Sequence, residues 1–533
     1  MRQSDVILSG KWPFLLTAML GVCSAGGYLF SADAVETTDQ ATAEEPGAYD
    51  AHSDAELGDP VAKNGPIFVD WPQPQVALLF SGEIEGFLEP CGCTGLENQL
   101  GGLKRRQTLI RQLEDQGWPV VPLDLGGFVR RLGPQAEIKL RFALKSLIEL
   151  GYEANGFGAP ELKLSSDALL FVLANLEPEK NPMVSANLSL FQSDSQFTKK
   201  YRVVEAGGKR IGVTAVFGRK HSTVVENNPD VTWTDPAEAL RKVIPELESQ
   251  RCDLLVLLCH ADPNEASALA KQFPQFQLVA TTGGAEEPPN HAREIEGSQA
   301  QLIEVGQKGM YAIVVGIYDD PQQLYRYQRV PLDHRFPDSP DMQAMLVKYQ
   351  EELKNIGLEG LGITGVKNPA GEFVGSAVCA DCHTEATAVF ETTPHAHATE
   401  TLVHLDPPRQ FDPECLSCHS TGWNPQKYFP YASGFLGLEK TPQLIGNGCE
   451  NCHGPGGAHA AAEGGEEEVS EQELERLRAA LRLEIVENEG NKEGQEFANG
   501  KVVQMCMECH DIDNSPDFDF QEYWPQVEHQ GME

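Results

Sequence analysis

The chain is 533 residues long and 41% hydrophobic, which provides enough apolar material for about two or three domains with cores of their own. Its formal net charge of −38 at pH 7 argues against nucleic acid and anionic lipid as partners and favours encounter with a basic protein.

The first 34 residues have the pattern of an export signal. Arg2 and Lys11 precede an apolar stretch from Trp12 to Phe30, and alanines at positions 32 and 34 form a small-residue cleavage pattern. Because this stretch is long enough to cross a bilayer, an uncleaved membrane anchor is the alternative. The sequence predicts a periplasmic or other extracytoplasmic protein.

An acidic tether is predicted to follow the signal over residues 35–70. Residues 33–60 contain nine acidic side chains and no Lys or Arg. Such a segment cannot bury enough apolar surface to fold, so we expect it to be disordered.

Residues 71–336 alternate between strand and helix patterns, which predicts a layered α/β domain. A hairpin is expected to turn at Gly207 and Gly208. The remaining predicted strands are 75–80, 119–127 and the end of 235–262, and the predicted helices are 102–117, 136–151 and the start of 235–262.

The landmarks of this domain resemble the calcineurin-like metallophosphoesterases of the 5'-nucleotidase type. The likeness rests on "LLFSGEIEGFLEP", "GGLKRR", "SANL" and "LLCHAD". The resemblance implies a site with two metal ions held by His, Asp and Asn. The positions that match these ligands are altered: they carry Glu83, Glu85, Gly127, Ala159, Pro160 and "GGAE" at 283–286.

Only His260 stands where this family has a ligand histidine. We therefore expect a non-catalytic domain, with a repurposed site for a single hard cation as the alternative.

Other cysteines and histidines of this region are expected to have no functional role. Cys91, Cys93, Cys252 and Cys259 are predicted to form a disulfide within the group or to be buried thiols. His52, His221, His291 and His334 occur in polar surroundings and are expected to be solvated.

A connector is predicted over residues 337–370. Apolar residues recur at helical spacing in 341–355, which indicates a helix.

Residues 371–533 contain four copies of Cys-x-x-Cys-His, the attachment signal for c-type haem. In this motif the two thiols bind the haem covalently and the histidine is the proximal iron ligand. Zinc sites or disulfides are the alternative, but neither explains a histidine after every second cysteine. The predicted attachment residues are Cys379, Cys382, Cys415, Cys418, Cys449, Cys452, Cys506 and Cys509, and the proximal ligands are His383, His419, His453 and His510.

Five further histidines could ligate the opposite faces of the irons: His395, His397, His404, His459 and His529. His459 follows His453 by six residues through "GPGGA" and cannot easily reach around the same haem. We expect it to ligate a neighbouring haem. His395 is the next candidate, and the other three are weaker, with a surface position as the alternative.

An acidic helical insert is predicted at 463–500, between the third and fourth motifs. Ser470 and Glu473 form a capping box, and Leu474, Leu477 and Leu481 lie on one helical face.

The segment resembles the tetrahaem cytochromes of ammonia oxidisers that accept electrons from hydroxylamine oxidoreductase. The likeness rests on "FVGSAVCADCH", "TTPHAHATETL", "ECLSCHSTGWN", "CENCHGPGGAHA" and "PDFDFQEYW". It implies a mostly α and irregular fold built around four covalent haems, and it allows one five-coordinate iron.

The expected function is electron transfer between a donor and an acceptor redox protein, basic or membrane-bound. One alternative is an oxidoreductase that acts on a small nitrogen compound at an open iron. The second is a metal-dependent phosphohydrolase fused to a cytochrome.

Overall fold

The computed structural model describes residues 59–90, 99–191, 197–226, 228–483 and 500–529. Asp50–Glu533 form one compact unit. The predicted signal or anchor, most of the tether, Cys91, Cys93 and residues 484–499 of the insert lie outside the described residues. Within the described ranges, no helix is both long and apolar enough to cross a bilayer.

Thirteen strands and seven helices of the described chain precede the first Cys-x-x-Cys-His motif. The strands are β1 Val76–Ser81, β2 Val120–Asp124, β3 Ala154–Asn155, β4 Leu188–Leu190, β5 Arg202–Ala206, β6 Lys209–Phe217, β7 Val231–Trp233, β8 Leu254–His260, β9 Leu278–Thr281, β10 Arg293–Glu294, β11 Gln301–Glu304, β12 Tyr311–Ile317 and β13 Tyr325–Pro331. The helices are α1 Pro60–Asn64, α2 Leu103–Asp115, α3 Pro134–Glu149, α4 Ser166–Ala174, α5 Pro236–Ser249, α6 Pro263–Gln272 and α7 Pro340–Gly360.

Two sheets form the centre of this region. The first has the order β13-β12-β1-β2-β3 and the second β10-β11-β9-β8-β6-β5. β1 is parallel to β2 and antiparallel to β12, while β8 is parallel to both β6 and β9. The predicted hairpin at Gly207 and Gly208 is confirmed, because β5 and β6 pair in antiparallel fashion across it.

Alternation of side chains along the strands produces four layers. In β1, Val76, Leu78 and Phe80 pack between the two sheets, whereas Ala77 and Leu79 pack against α2 and α3. The same alternation in β8 sends every second residue between the sheets and the others against α5 and α6. The α/β layering is therefore α/β/β/α, and the apolar runs in the sequence reflect strands that are buried on both faces.

The carboxyl ends of the parallel strands meet at one edge and position the loops discussed below. β1 leads to Glu83, β2 to Gly127, β3 to Gly158 and β8 ends at His260. Residues far apart in sequence are thereby brought together at this edge, as expected for parallel strands.

Helix α7 connects the α/β region with the motif-bearing segment. It runs from Pro340 to Gly360, longer than the predicted 341–355, with a break at Gly357, where φ is 65°. Leu346, Tyr349 and Leu353 pack on Ile138 and Phe142 of α3 in one buried cluster.

The segment from residue 371 contains short helices and one two-stranded pair among its described residues. The helices are α8 Ser376–Ala380, α9 Thr384–Glu391, α10 Ala398–His404, α11 Pro413–His419, α12 Cys449–His453, α13 Gly457–Glu463, α14 Glu471–Leu481, α15 Lys501–Cys506 and α16 Phe520–Tyr523, and the strands are β14 Trp423–Asn424 and β15 Phe429–Pro430. The expected mostly α and irregular fold is confirmed. The Ser470 hydroxyl accepts the N–H of Glu473 and caps α14, as the sequence predicts.

Candidate haem-binding site

Each Cys-x-x-Cys-His motif is built on a helical turn. The backbone N–H of His383 donates to the carbonyl of Cys379, and that of His510 donates to Cys506, both at 2.9 Å. The second and third motifs are the ends of α11 and α12. Because residues i and i+3 share one side of a helical turn, both thiols of a motif face the same side.

Thiols from different motifs are close neighbours. Cys379 lies close to Cys449, Cys418 lies close to Cys509, and Cys452 lies in the neighbourhood of Cys506. These thiols are free rather than joined in disulfides. In space, the motifs therefore follow the order first, third, fourth, second, which is not their order in the sequence.

Three of the four motif histidines face a second histidine. The ring centres of His383 and His459 are 6.4 Å apart. Those of His510 and His395 are 6.0 Å apart, and those of His453 and His529 are 5.8 Å apart. Two imidazoles that bind one metal from opposite sides through bonds of about 2.0 Å have ring centres about 6 Å apart. The residues present therefore fit an iron with two axial histidines at three motifs.

Hydrogen bonds fix the rings through their Nδ1 atoms. His419 Nδ1 donates to the carbonyl of Ala398 at 2.8 Å, and His453 Nδ1 donates to that of Leu481 at 2.7 Å. His529 Nδ1 donates to the carbonyl of Val527 at 2.9 Å. Histidines that bind metals usually donate their other ring N–H in this way, which leaves Nε2 with a free lone pair. These hydrogen bonds at Nδ1 thus leave Nε2 of the three histidines suited to bind iron.

His459 differs from these histidines because its Nδ1 is buried without a hydrogen-bond partner among the described residues. Burial lowers the pKa of this ring, so the neutral form is favoured. An orphaned nitrogen on a neutral ring that faces another histidine is the arrangement expected of a metal ligand.

His419 has no second histidine ring packed opposite it in the part of the chain that the structure describes. Burial lowers its pKa, so it too is favoured in the neutral form that binds metals. His397 and His404 both lie beside Glu400, at 3.3 Å and 3.5 Å, on or next to α10. These two weaker candidates are not brought opposite a motif histidine.

The zinc alternative is not supported by the geometry. Across the described ranges, no three side chains of His, Cys, Asp or Glu converge on a point where they could hold a metal ion. A structural zinc site requires four such ligands at tetrahedral positions.

The two-metal pocket implied by the phosphoesterase resemblance is filled by protein. The Glu161 carboxylate accepts the backbone N–H groups of Gly127 at 2.9 Å and Phe128 at 3.2 Å, and also that of Gly158. A Cβ atom at Gly127 would come within 2.9 Å of Glu83 Cα, and its φ is +84°. An aspartate ligand therefore cannot stand at Gly127 in this backbone, and the residues present do not fit two metal ions.

His260 is not available as a metal ligand in this arrangement. Its Nε2 accepts the backbone N–H of Ala159 at 3.1 Å, and its ring stacks on Phe217 with centres 5.7 Å apart. Burial lowers its pKa to about 3, so it stays neutral. The hydrogen bond occupies the Nε2 lone pair that a metal would need, and Nδ1, which then carries the proton, has no hydrogen-bond partner among the described residues.

Glu83 is a carboxyl group of this pocket whose pKa is shifted to near neutral pH. Burial, followed by the nearby charge of Glu85, raises its pKa to about 7. Burial also raises the pKa of Glu85 itself. Two partly buried carboxylates are thus held close together.

Two expectations for the α/β region need correction. His221 is not simply solvated: its ring lies 4.9 Å from that of His260, and burial lowers its pKa. Cys252 and Cys259 are free thiols; Cys259 is fully buried, as the buried-thiol alternative predicts, whereas Cys252 is partly exposed.

A charged interface joins the α/β region to the second and fourth motifs. The Asp513 carboxylate bridges Lys308 and Arg130. Glu414, at the start of α11, accepts from Lys139 at 2.6 Å and pairs with Arg131 at 2.9 Å. The sequence did not indicate these pairs, because the partners lie hundreds of residues apart and carry no motif.

The comparisons with known proteins divide the chain in the same way. Residues 378–454, which include the first three motifs, match the family model "Cytochrome c554 and c-prime". Cytochrome c-554 from Nitrosomonas europaea is 29% identical over 152 residues, which cover 26% of this chain and 57% of that protein. The snake venom 5'-nucleotidase of Gloydius brevicauda is 24% identical over 318 residues, which cover 54% of this chain and 53% of that protein.

A solved structure, the 5'-nucleotidase precursor from Thermus thermophilus, superposes with a TM-score of 0.46 and 17% identity over 69% of this chain and 73% of that one. The fold stated above rests on the observed sheets rather than on this score. The chain spans about half the length of the curated relatives it matches.

Proposed function

We propose that this chain, in which a 5'-nucleotidase-like region is joined to a cytochrome c554-like segment, is an exported tetrahaem cytochrome that transfers electrons between redox proteins. The observation that carries this proposal is the set of three histidine pairs whose ring centres are 5.8–6.4 Å apart. Two axial histidines leave no position on the iron for a substrate, so such haems can only accept and donate electrons.

Each haem would be held by one motif and, in three cases, by a histidine from elsewhere in the segment. His459 would complete the first site, His529 the third and His395 the fourth. When bound, the haem supplies an iron that alternates between two oxidation states. The protein supplies the covalent attachment, the axial nitrogens and the hydrogen bonds that orient them.

The neighbouring thiols support an electron path through all four sites. Cys379 lies close to Cys449, Cys452 is near Cys506, and Cys509 lies close to Cys418. Haems held by these thiols would be neighbours. The proposed path therefore runs from the first motif through the third and fourth to the second.

The main alternative is an oxidoreductase that acts on a small nitrogen compound at the haem of the second motif. It is favoured by one observation, the lack of a facing histidine ring at His419 among the described residues. An iron with only one protein ligand can bind a small molecule.

We further propose that the α/β region is not a phosphohydrolase. This is supported by the Glu161 carboxylate in the former metal pocket and by the hydrogen bond that occupies His260 Nε2. The relatives with this fold are named as 5'-nucleotidases, so the competing proposal is a metal-dependent phosphohydrolase.

The first experiment counts haems and assigns their spin states. The exported protein, expressed with c-haem maturation machinery, should carry four haems by denatured mass and by pyridine haemochrome. The double variant Cys506→Ala, Cys509→Ala should carry three, because it removes both attachment thiols of the fourth motif. This motif is chosen because it lies outside the matched residues. A protein with zinc and no haem, or four haems in the double variant, would refute the proposal.

The spectrum then separates the carrier from the enzyme. Three low-spin haems and one high-spin haem that responds to nitric oxide would favour the alternative at His419, and four unresponsive low-spin haems would favour pure electron transfer.

The second experiment tests the α/β region. The purified protein should hydrolyse neither nucleotides nor bis-p-nitrophenyl phosphate with added Mn²⁺, Co²⁺ or Zn²⁺. Metal-dependent turnover that disappears in His260→Ala would show that the region is catalytic.

A further inference from the structure

We propose that the external redox partner docks at the end of the molecule formed by the first motif, and that this partner is a basic electron-transfer protein. The docking end is defined here by residues 376–391, which comprise α8, α9 and the first motif between them. This inference rests on the proposed function, since it requires that the four motifs carry haem.

The contacts between motifs leave two ends to the path. The first motif lies beside the third, where the Cys449 N–H donates to Ser376 Oγ at 3.2 Å, and the second lies beside the fourth, where Gln426 donates to the carbonyl of Glu508. The third and fourth motifs lie between them. An external partner must approach one of the two ends closely, because electron transfer requires near contact between cofactors.

The end formed by the second motif is covered by the α/β region. Lys139 of α3 donates to Glu414 at 2.6 Å, and the Arg131 guanidinium lies 3.2 Å from the centre of the Tyr428 ring. Gln135 donates to Asp412, which is only 4% exposed. These contacts enclose α11, the helix that carries Cys415 and Cys418.

The fourth motif, which neighbours the second, also contacts the α/β region at this interface. Asp513, three residues after His510, bridges Lys308 and Arg130 with only 9% of its side chain exposed. The cations of the α/β region thus neutralise Glu414 and Asp513, which lie next to the second and fourth motifs.

The end formed by the first motif has the opposite character. Residues 371–408 contain six acidic side chains and no Lys or Arg. Asp381, Glu385 and Glu391 are exposed, and Val378 beside Cys379 is 41% exposed. An apolar residue surrounded by unneutralised acidic side chains suits a partner with a small apolar contact surrounded by lysines.

Two arginines of α14 are paired with acidic side chains. Arg476 binds Glu473 at 2.6 Å and Arg478 binds Glu463 at 2.6 Å. The field at the docking end is therefore negative, and it accelerates encounter with a positively charged protein at low salt.

The test is a rate of electron transfer to a defined probe. The full protein is reduced with dithionite and mixed with an oxidised basic monohaem cytochrome c in a stopped-flow instrument. The double variant Asp381→Lys, Glu385→Lys should lower the second-order rate constant about tenfold at low ionic strength, and the difference should vanish near 0.5 M salt, because salt screens the exposed charges.

Two matched double reversals define where the charges act. The double variant Glu246→Lys, Glu248→Lys changes two exposed residues of α5, far from any motif. It should change the rate less than about twofold. Asp517→Lys, Glu522→Lys reverses exposed charges next to the fourth motif and should also have a small effect.

The proposal is overturned if the reversal at residues 381 and 385 has no larger effect than either of the other two. A dominant effect at residues 517 and 522 would place the partner beside the fourth motif. The haem content and the dithionite-reduced spectrum are recorded first for every variant. A chain without haem refutes the proposed function, whereas a fully loaded, reducible chain with unchanged rates refutes only the docking end.

Discussion

His459 follows the third motif in the sequence but faces His383 of the first motif in the structure. The sequence predicts the proximal histidines because each is adjacent to its cysteines. It predicts that His459 reaches another haem, because the short "GPGGA" link cannot pass around its own. Which haem it reaches depends on the path of the whole segment, and for the same reason the sequence ranks His529 low although it lies opposite His453.

We predict that His459→Ala leaves all four haems attached but converts the haem on Cys379 and Cys382 from low to high spin. The thioether bonds do not involve His459, whereas loss of an axial nitrogen weakens the ligand field. Electron paramagnetic resonance should show one additional high-spin haem of the four. His291→Ala, which removes an exposed histidine of the α/β region, is the control and should leave the spectrum unchanged.

Glu83 provides a prediction about pH. Its folded pKa of about 7 lies above the unfolded value of 4.5, so the folded state holds the proton more tightly. Ionisation then costs stability as pH rises from about 4.5 to 7. Glu83→Gln should raise the free energy of unfolding at pH 8 by on the order of 2–3 kcal/mol and change it little at pH 4.5.

Denaturant unfolding at the two pH values measures this difference. The exposed Glu246→Gln is the matched control and should show no such dependence on pH. An equal effect of Glu83→Gln at both pH values would contradict the assigned pKa.

Among the elements, the strands and helices of the α/β region follow the sequence pattern closely. β2 and β8 lie within the predicted strands and α2 and α5 within the predicted helices, while β1 ends one residue beyond its predicted range and α3 begins two residues before its own. Their partition into two sheets was not predictable, because a strand buried on both faces shows the same apolar run in either sheet. Likewise, no pattern in the sequence indicates that Glu161 turns its carboxylate towards three backbone N–H groups.

Helix α7 is the element that joins the two regions, and its buried face should contribute strongly to stability. Leu353 is fully buried between α7 and α3, in the cluster against which Phe411 packs. Leu353→Ala should lower the free energy of unfolding by about 2–5 kcal/mol, since it leaves a cavity at this joint. Leu170→Ala on α4, where the side chain is 37% exposed, should cost less than about 1 kcal/mol.

Thermal or denaturant unfolding of the two leucine variants provides the measurement. If the two variants lost equal stability, α7 would not be the structural joint that its packing indicates.

At the scale of the whole molecule, the distribution of charge is uneven. The segment 371–533 carries 30 acidic and 8 basic side chains, so it holds −22 of the total of −38. The composition gives the total charge but not its distribution. It does not reveal that positive charge is concentrated on one interface, by Arg130, Arg131, Lys139 and Lys308.

We predict that Asp513→Asn loosens this interface. The variant removes the Asp513 carboxylate from the largely buried Lys308, which also pairs with Glu286, and this should cost about 1–3 kcal/mol. Hydrogen exchange should become faster in residues 500–529 and in the loop around Arg130. Asp517→Asn, at an exposed position, should leave exchange at wild-type rates.

The interleaved order of the motifs has a consequence for biogenesis. The second motif reaches its final neighbour only when Cys509 is present beside Cys418. Because a chain is synthesised from its amino terminus, the second motif is complete well before the residues that become its neighbour. The cytochrome segment can therefore close around the second motif only after the last part of the chain has been made.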